Sequence, residues 1–457
     1  MDDGIPFLYP FSDFGLNIVG LIFFLLDLIL DIWAVVTFYQ EEAYVSMGVL
    51  IFLLVGSSVL LQAFSWLWYN YSSEEEKKEL AKYIYLEKYF HNRTLLGVLH
   101  VCQLGVFLRF ASVMEISLRS LTSAQRDGQK QGIAVFLTHD LSLLRLIETF
   151  SESAPQLTLM MAIIAHREDV EWVTGLKTLG SFAAIAFSVV MYHRVMRSFS
   201  KDKAKMTWIP SLVYFLWNFF LIAPRLAAVA LAASTLPVGM IAVHFFLLWL
   251  TFFLWAWRQK TDFMDTPAGE WLYRGTVALI WYFCSFNVSK DDSRGRRIIC
   301  HFIITRSIMY HFFIAVDSFV LLGLWWWDCV QPSVFGMPAW AVFICAGSSY
   351  IVGTIVKILY YKLCHPNKKS AKEKSTMEES EDMLPPAPAC LREEKPGMDM
   401  VDFARFKAPS PPCPGEEKPG MDVVDFAPFN APSPPPSPPP KPLTGAQKRM
   451  QKLAANF

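Results

Sequence analysis

The chain has 457 residues, with 41 Lys+Arg against 41 Asp+Glu, and that zero balance removes nucleic acid as a default partner. It is 53% hydrophobic and only 18% charged, against about 25% charged in a soluble domain, which excludes an ordinary soluble fold. Of its 28 Pro, 18 lie from Pro385 onward, so the averages mix two different polymers.

The first residues, MDDGIPFLYP, lack the basic flank and small-residue cleavage site of a secretory signal, so the first apolar run is expected to stay in the mature protein. A spanning helix needs about 20 mostly apolar residues. Eight stretches qualify, at roughly 14–39, 43–69, 140–165, 173–195, 207–232, 236–258, 299–328 and 337–362. Two further runs, Leu95–Leu118 and Trp271–Val288, are interrupted by polar residues. Lys77, Lys78, Lys82, Lys88 and Arg93 precede the first of them, and Arg119, Arg126 and Lys130 follow it. Arg258, Lys260 and Arg274 precede or open the second, with Lys290, Arg294, Arg296 and Arg297 after it. A run with two basic flanks enters and leaves on one side, so both are expected to be re-entrant or interfacial; two extra spans are the alternative. The other loops alternate in charge and put both termini in the cytoplasm.

The expected fold is therefore an all-α polytopic membrane protein with eight spanning helices and two re-entrant segments. Residues 1–195 and 196–366 would form two pseudo-symmetric parallel repeats, weakly supported by the echo of LLQAFSWLW (60–68) in LLWLTFFLWAW (247–257). Residues 367–442 form a disordered, Pro-rich cytoplasmic tail, and residues 443–457 a candidate amphipathic helix.

Several charges fall inside the spans. Asp27 and Asp31 share one face of the first helix, and Arg145, Glu148 and Glu152 form a stripe on the third. Arg225 lies deep in the fifth beside Pro224, while Asp140 and Arg194 stand near cytoplasmic ends. Each charge at mid-bilayer costs about 2.5–3.5 kcal/mol on insertion scales, so the set implies pairing or a wet path. One reading is an ion-pair cluster, Asp27 and Asp31 against Arg145 or Arg225, that only holds helices together. The other is a polar furrow for a hydrophilic group, and the acids outnumber the deep bases. Pro155 and Pro224 should kink their helices.

No metal site or disulfide framework is read from the eight Cys, no cofactor is expected, and no GxSxG, HExxH, GxGxxG or P-loop pattern suggests an enzyme. Cys329 is the one Cys expected outside, and the sequon Asn92-Arg93-Thr94 falls in a predicted cytoplasmic loop.

The tail contains a tandem repeat: Glu393–Pro412 and Glu416–Pro435 agree at 17 of 20 positions. Each copy holds Asp-x-x-Asp, namely Asp399 to Asp402 and Asp422 to Asp425. This accessible, Pro-flanked geometry suits an executioner caspase cutting after Asp402 or Asp425, although Phe403 and Phe426 are poor residues after the cut. A neutral linker or a polyproline ligand at 434–440 is the alternative. Beyond it, Met450, Leu453 and Phe457 align on one apolar face, and a tethered helix of this kind can hold a weak intramolecular site closed.

The stretch LLRLIETFSESAPQLTL (143–159), with SWLW (65–68), YHR (192–194), YFLWN (214–218), EWLYR (270–274), SFNV (285–288) and YYKLCHP (360–366), resembles the XK-related membrane proteins, above all their caspase-activated phospholipid scramblase branch. The resemblance covers about residues 15–366. It implies eight spans with two re-entrant segments, ATP-independent scrambling that exposes phosphatidylserine at the plasma membrane in apoptosis, and escort by a single-span glycoprotein of the basigin and neuroplastin type. Family acids of the first and third helices correspond to Asp27, Asp31, Asp140, Glu148 and Glu152. Relatives often carry Asp where this chain has Met191, which leaves the partner of Arg194 open. A non-transporting subunit that stabilises a partner, as some XK relatives are, and a small-solute transporter are the other readings; a homo-oligomer is left open.

Overall fold

The computed structural model describes residues 11–364, apart from 73, 90–91, 123–127, 166–171, 200–205, 260, 286–295, 329–332 and 335–336. The chain folds into helices α1 (Phe11–Gln40), α2 (Tyr44–Tyr71), α3 (Glu74–Tyr83), α4 (Tyr85–Tyr89), α5 (Arg93–Val101), α6 (Gly105–Thr122) and α7 (Gly128–Glu148). After a π-helical turn at Thr149–Ser153 come α8 (Ala154–Ala165), α9 (Trp172–Phe199), α10 (Trp208–Thr235), α11 (Val238–Arg258), α12 (Pro267–Phe283), α13 (Arg296–Asp328) and α14 (Ala339–Leu359). A two-residue antiparallel ribbon, Ser333–Val334 with Met337–Pro338, joins α13 to α14.

Seven helices among the described residues are long and apolar enough to cross a membrane: 13–40, 44–71, 175–197, 208–235, 238–258, 307–328 and 339–362. They coincide with seven of the eight expected stretches. The remaining one, 140–165, lies in the unbroken helical run through α7, the π turn and α8, which carries Asp140, Arg145, Glu148 and Glu152 and so lacks an apolar window. An eighth crossing counts in the apolar set only if α5 and α6 together make one span.

That pair is bent by 116°. Asn92 starts α5 by accepting a hydrogen bond from the Thr94 amide at 2.9 Å. The chain then turns through Gln103 in the left-handed region, at φ 64°, with its side-chain oxygen held by Ser58 Oγ at 2.5 Å. Gly105 opens α6 because a Cβ there would fall 2.4 Å from the His100 ring. In the second half the sequence suggested a matching re-entrant run at 271–288. There α12 is a single helix, opened by Pro267 in its first turn and capped by Thr266 Oγ1, which accepts from the Gly269 amide at 3.2 Å.

Pro155 leaves one carbonyl of its helix without an amide donor. The helix accommodates this not by a break but by widening: the Ala154 amide donates to Thr149 O, five residues back, and the side chains of Thr149, Ser151 and Thr158 donate to the carbonyls of Arg145, Ile147 and Ala154 at 2.8–2.9 Å.

Helix α10 occupies the centre, with 67% of its apolar window buried against 6% for α1 and for α14. It packs on α8, α9, α13 and α14, and touches α11 and α12. Ala227, Ala228, Ala230 and Ala232 keep its surface shallow, and α14 approaches it so closely at Gly353 that a Cβ would meet Leu221 at 2.9 Å.

Candidate functional site

The charged side chains fall into three groups. The first lies between α1 and the run from α7 to α8. Heptad spacing puts Arg145, Glu148 and Glu152 on one stripe, and the π turn carries Glu152 and Ser153 round toward α1. Gln156 Nε2 donates to Asp31 Oδ1 at 2.6 Å, and Ser153 Oγ donates to Asp27 Oδ2 at 3.4 Å. Arg145 Nη1 donates to both Glu148 oxygens at 2.7 and 2.8 Å, with its guanidinium over the Phe24 ring at 5.2 Å. Ser57 on α2 adds a hydroxyl, 2.8 Å from Ser151 Oγ. Asp31 and Glu148 are buried, whereas Asp27, Arg145 and Glu152 are half-buried.

Five of the residues expected to gather are thus brought together: Arg145 pairs with Glu148, Asp27 lies near them, and Glu152 meets Asp31. The hydrogen bonds to the two α1 carboxyls come from the Ser153 hydroxyl, the Gln156 amide and the Glu152 carboxyl. Such an acid excess is costly in a dry interior and is relieved by water or by a visiting cationic group.

Arg225 is not in this cluster. Its Nη1 contacts Asp317 Oδ2 at 2.5 Å, its Nε donates to Tyr282 O at 3.1 Å, and its guanidinium lies 4.8 Å from the Tyr282 ring centroid. His244 Nε2 sits 3.0 Å from the other Asp317 oxygen. Asp317, on α13, went unremarked in the sequence because a lone acid in a long apolar stretch gives no spacing signal; an unpartnered Arg225 was the available hint.

The third group joins the bent pair to α7. Asp140 accepts from Arg109 Nη1 at 3.3 Å, and both side chains are buried. Arg109 also donates to Ser65 Oγ at 2.8 Å and Ser65 O at 2.9 Å, and it lies over the Tyr69 ring at 4.3 Å. His100 Nε2 reaches the same Ser65 hydroxyl at 3.0 Å. Arg109 was missed; the lone cation within GVFLRFASVM was its signal, since an interior guanidinium requires an acid. Below it, Glu87 of α4 receives the Tyr69 hydroxyl at 3.3 Å, and burial pushes its carboxyl above the usual range despite nearby Arg109.

Arg194, left without a partner in the sequence, finds Asp13 of α1 at 3.8 Å, donates to Ser211 Oγ at 2.8 Å and to Met206 O at 3.2 Å, and covers the Trp208 ring at 5.2 Å. Asp399, Asp402, Asp422, Asp425, Met450, Leu453 and Phe457 lie outside the described residues.

A helical membrane protein with long apolar spans around a charged interior is the class that this architecture defines. A profile of the XK-related protein family matches residues 15–366. XK-related protein 8 of Tetraodon nigroviridis is 42% identical over 364 residues, covering 79% of this chain and 86% of the relative. The protein of the same name from Gasterosteus aculeatus is 42% identical over 364 residues, covering 78% and 85%, and that from Pan troglodytes is 36% identical over 362 residues, covering 78% and 84%. The chain belongs to the XK-related protein family.

Proposed function

We propose that this protein is an ATP-independent phospholipid scramblase of the plasma membrane, exposing phosphatidylserine in apoptosis, with both termini cytoplasmic. The observation that carries the reading is the acid excess between α1 and α7–α8: Asp27, Asp31, Glu148 and Glu152 accompany a single guanidinium, Arg145, among the described residues, beside the hydroxyls of Ser57, Ser151 and Ser153 and the amide of Gln156. A row of polar groups along a helix pair lets a headgroup cross while its acyl chains stay in lipid. Asp140 with Arg109 and Arg194 with Asp13 extend polar contacts along the same helices. The resemblance to the scramblase branch agrees with this.

Purified protein in liposomes tests it by dithionite bleaching of a labelled phospholipid. Bleaching beyond the outer-leaflet half is expected; a plateau at half would leave the non-transporting subunit, and flux of a small solute instead would favour the transporter.

In this reading the two halves are parallel repeats, 1–195 and 196–366, and α5–α6 is re-entrant. Residues 443–457 hold the transporter closed through the 367–442 tether until an executioner caspase cuts after Asp402 or Asp425. The duplicated Asp-x-x-Asp supports this. Apoptotic cells carrying Asp402→Ala with Asp425→Ala should expose no phosphatidylserine through this protein; normal exposure would refute the switch. An escort of the basigin and neuroplastin type should co-purify from detergent.

A further inference from the structure

Among α2, α4, α6 and α7 one guanidinium faces two carboxyls. Arg109 on α6 donates to Asp140 of α7 at 3.3 Å and is fixed to α2 through Ser65 Oγ and Ser65 O at 2.8 and 2.9 Å. It lies over the Tyr69 ring at 4.3 Å, and the hydroxyl of that ring donates to Glu87 Oε1 of α4 at 3.3 Å. Ser112 Oγ meets the same oxygen at 3.5 Å. Glu87 is thus served by two long bonds from neutral hydroxyls, while the nearby cation acts on it by charge and is bonded elsewhere. Two ionised acids, Asp140 and Glu87, would be one too many for a single Arg109.

A partly open pocket of about 470 Å³, its mouth included, reaches this group between α2, α3, α4, α6 and α7. Its interior has room for about one or two water molecules, and Tyr69, Ser72, Glu87, Arg109, Ser112 and Asp140 supply its polar wall. Solvent therefore has a route to the Glu87 carboxyl. The other charges about Glu87 are engaged. Lys77 of α3, in the pocket wall, holds Glu74 at 2.9 Å. Glu115 of α6 accepts from the Tyr85 and Leu86 amides at 2.6 and 3.1 Å and pairs with Arg119 at 2.8 Å. His139 of α7 lies 3.5 Å from the other Asp140 oxygen, and Lys88, on α4 itself, lies 5.9 Å from the Tyr85 ring centroid.

We propose that Glu87 is a proton-operated switch on the Arg109–Asp140 tie. Protonated, Glu87 is neutral, donates its own O–H to a neighbouring hydroxyl and leaves Arg109 to Asp140, so that α6 is held to α7. Ionised, its proton passed to water in the pocket, it draws the guanidinium across Tyr69 toward α4, and the tie slackens. Burial holds the Glu87 carboxyl above the usual carboxylate range against the pull of Arg109. The tight form therefore prevails in acid and is lost as pH rises through the folded value. The switch rests on these contacts alone; that it governs lipid passage, because Arg109 and Asp140 extend the polar contacts along the proposed path, rests on the scramblase reading.

The test uses the full-length protein in detergent, in mildly acid and mildly alkaline buffer. Amide exchange, corrected for its intrinsic dependence on pH, should run about tenfold faster in α6 and α7 of the wild type on the alkaline side. Glu87→Gln, a fixed neutral side chain of the same shape, should keep the slow rate in both buffers. Equal alkaline exchange in wild type and Glu87→Gln would overturn the proposal, as would a difference confined to α4. Asp140→Asn gives a second reading that a merely local role for Glu87 would not move. It should lower the thermal midpoint more in acid than in alkaline buffer, and equally in both once Glu87→Gln is present. An equal loss in both buffers with Glu87 in place would overturn the switch. None of these readouts uses lipid flux, so a switch that fails leaves scrambling standing, and a wild type without flux in liposomes removes scrambling alone.

Discussion

The acid cluster on α1 and α7–α8 and the Arg225–Asp317 pair are both sets of charges within apolar helices, yet they are built on opposite plans. Arg225 and Asp317 are matched one to one, and Tyr282 O and Ser318 Oγ accept further bonds from the guanidinium's Nε and Nη1. On the other side Arg145 pairs with Glu148, while Asp27 meets the Ser153 hydroxyl and Asp31 meets the Gln156 amide and the Glu152 carboxyl. A matched, closed pair holds helices in place and is badly damaged by loss of one partner; an unmatched, half-open set costs stability and persists where charge or polarity is used.

The largest expected effect is therefore structural. Asp317→Ala leaves Arg225 buried without its counter-charge and should lose about 3–5 kcal/mol, seen as a collapsed size-exclusion profile and a much lower thermal midpoint. Arg225→Leu combined with Asp317→Ala should recover most of it. Next, Asp31→Asn with Glu152→Gln should keep the protein monodisperse, within about 1 kcal/mol of wild type, while lipid flux in liposomes falls at least about tenfold. A stability loss like that of Asp317→Ala would erase the distinction between the two regions. Asp140→Asn should fall between, costing about 1.5–3 kcal/mol through the charged hydrogen bond to Arg109.

The smallest effect tests burial alone. Burial raises the carboxyl pKa of Glu87, so its contribution to stability is intact at pH values below the unfolded carboxylate pKa and is lost as pH rises through the folded value. Glu87→Gln should thus raise the thermal midpoint slightly at neutral pH, and the gain should vanish in acid.

Much of this is legible in the sequence. Seven spans follow from run length and hydropathy alone, and the stripe Arg145, Glu148, Glu152 from helical spacing. Polar interruption and basic flanks mark 95–118 as re-entrant or interfacial, and the structure bends it between α5 and α6, where Gly105 makes room for His100. The same reading of 271–288 meets a single helix, α12, which ends at Phe283; residues 286–288 of that run lie outside the described residues. Charge flanks report which side of the membrane the ends occupy, not whether a helix breaks between them.

The sequence by itself determined where apolar runs begin and end, which faces carry charge, and that the tail repeats an Asp-x-x-Asp motif, because length, period and composition are local properties. Tertiary structure decided the partnerships. Arg225 could have met Asp27 or Asp31 by sequence, and instead meets Asp317, 92 residues away, while Arg194 finds Asp13 and Lys357 finds no acid among the described residues. Pairing depends on which helices lie side by side, and the alanine-lined central helix α10 sets that order.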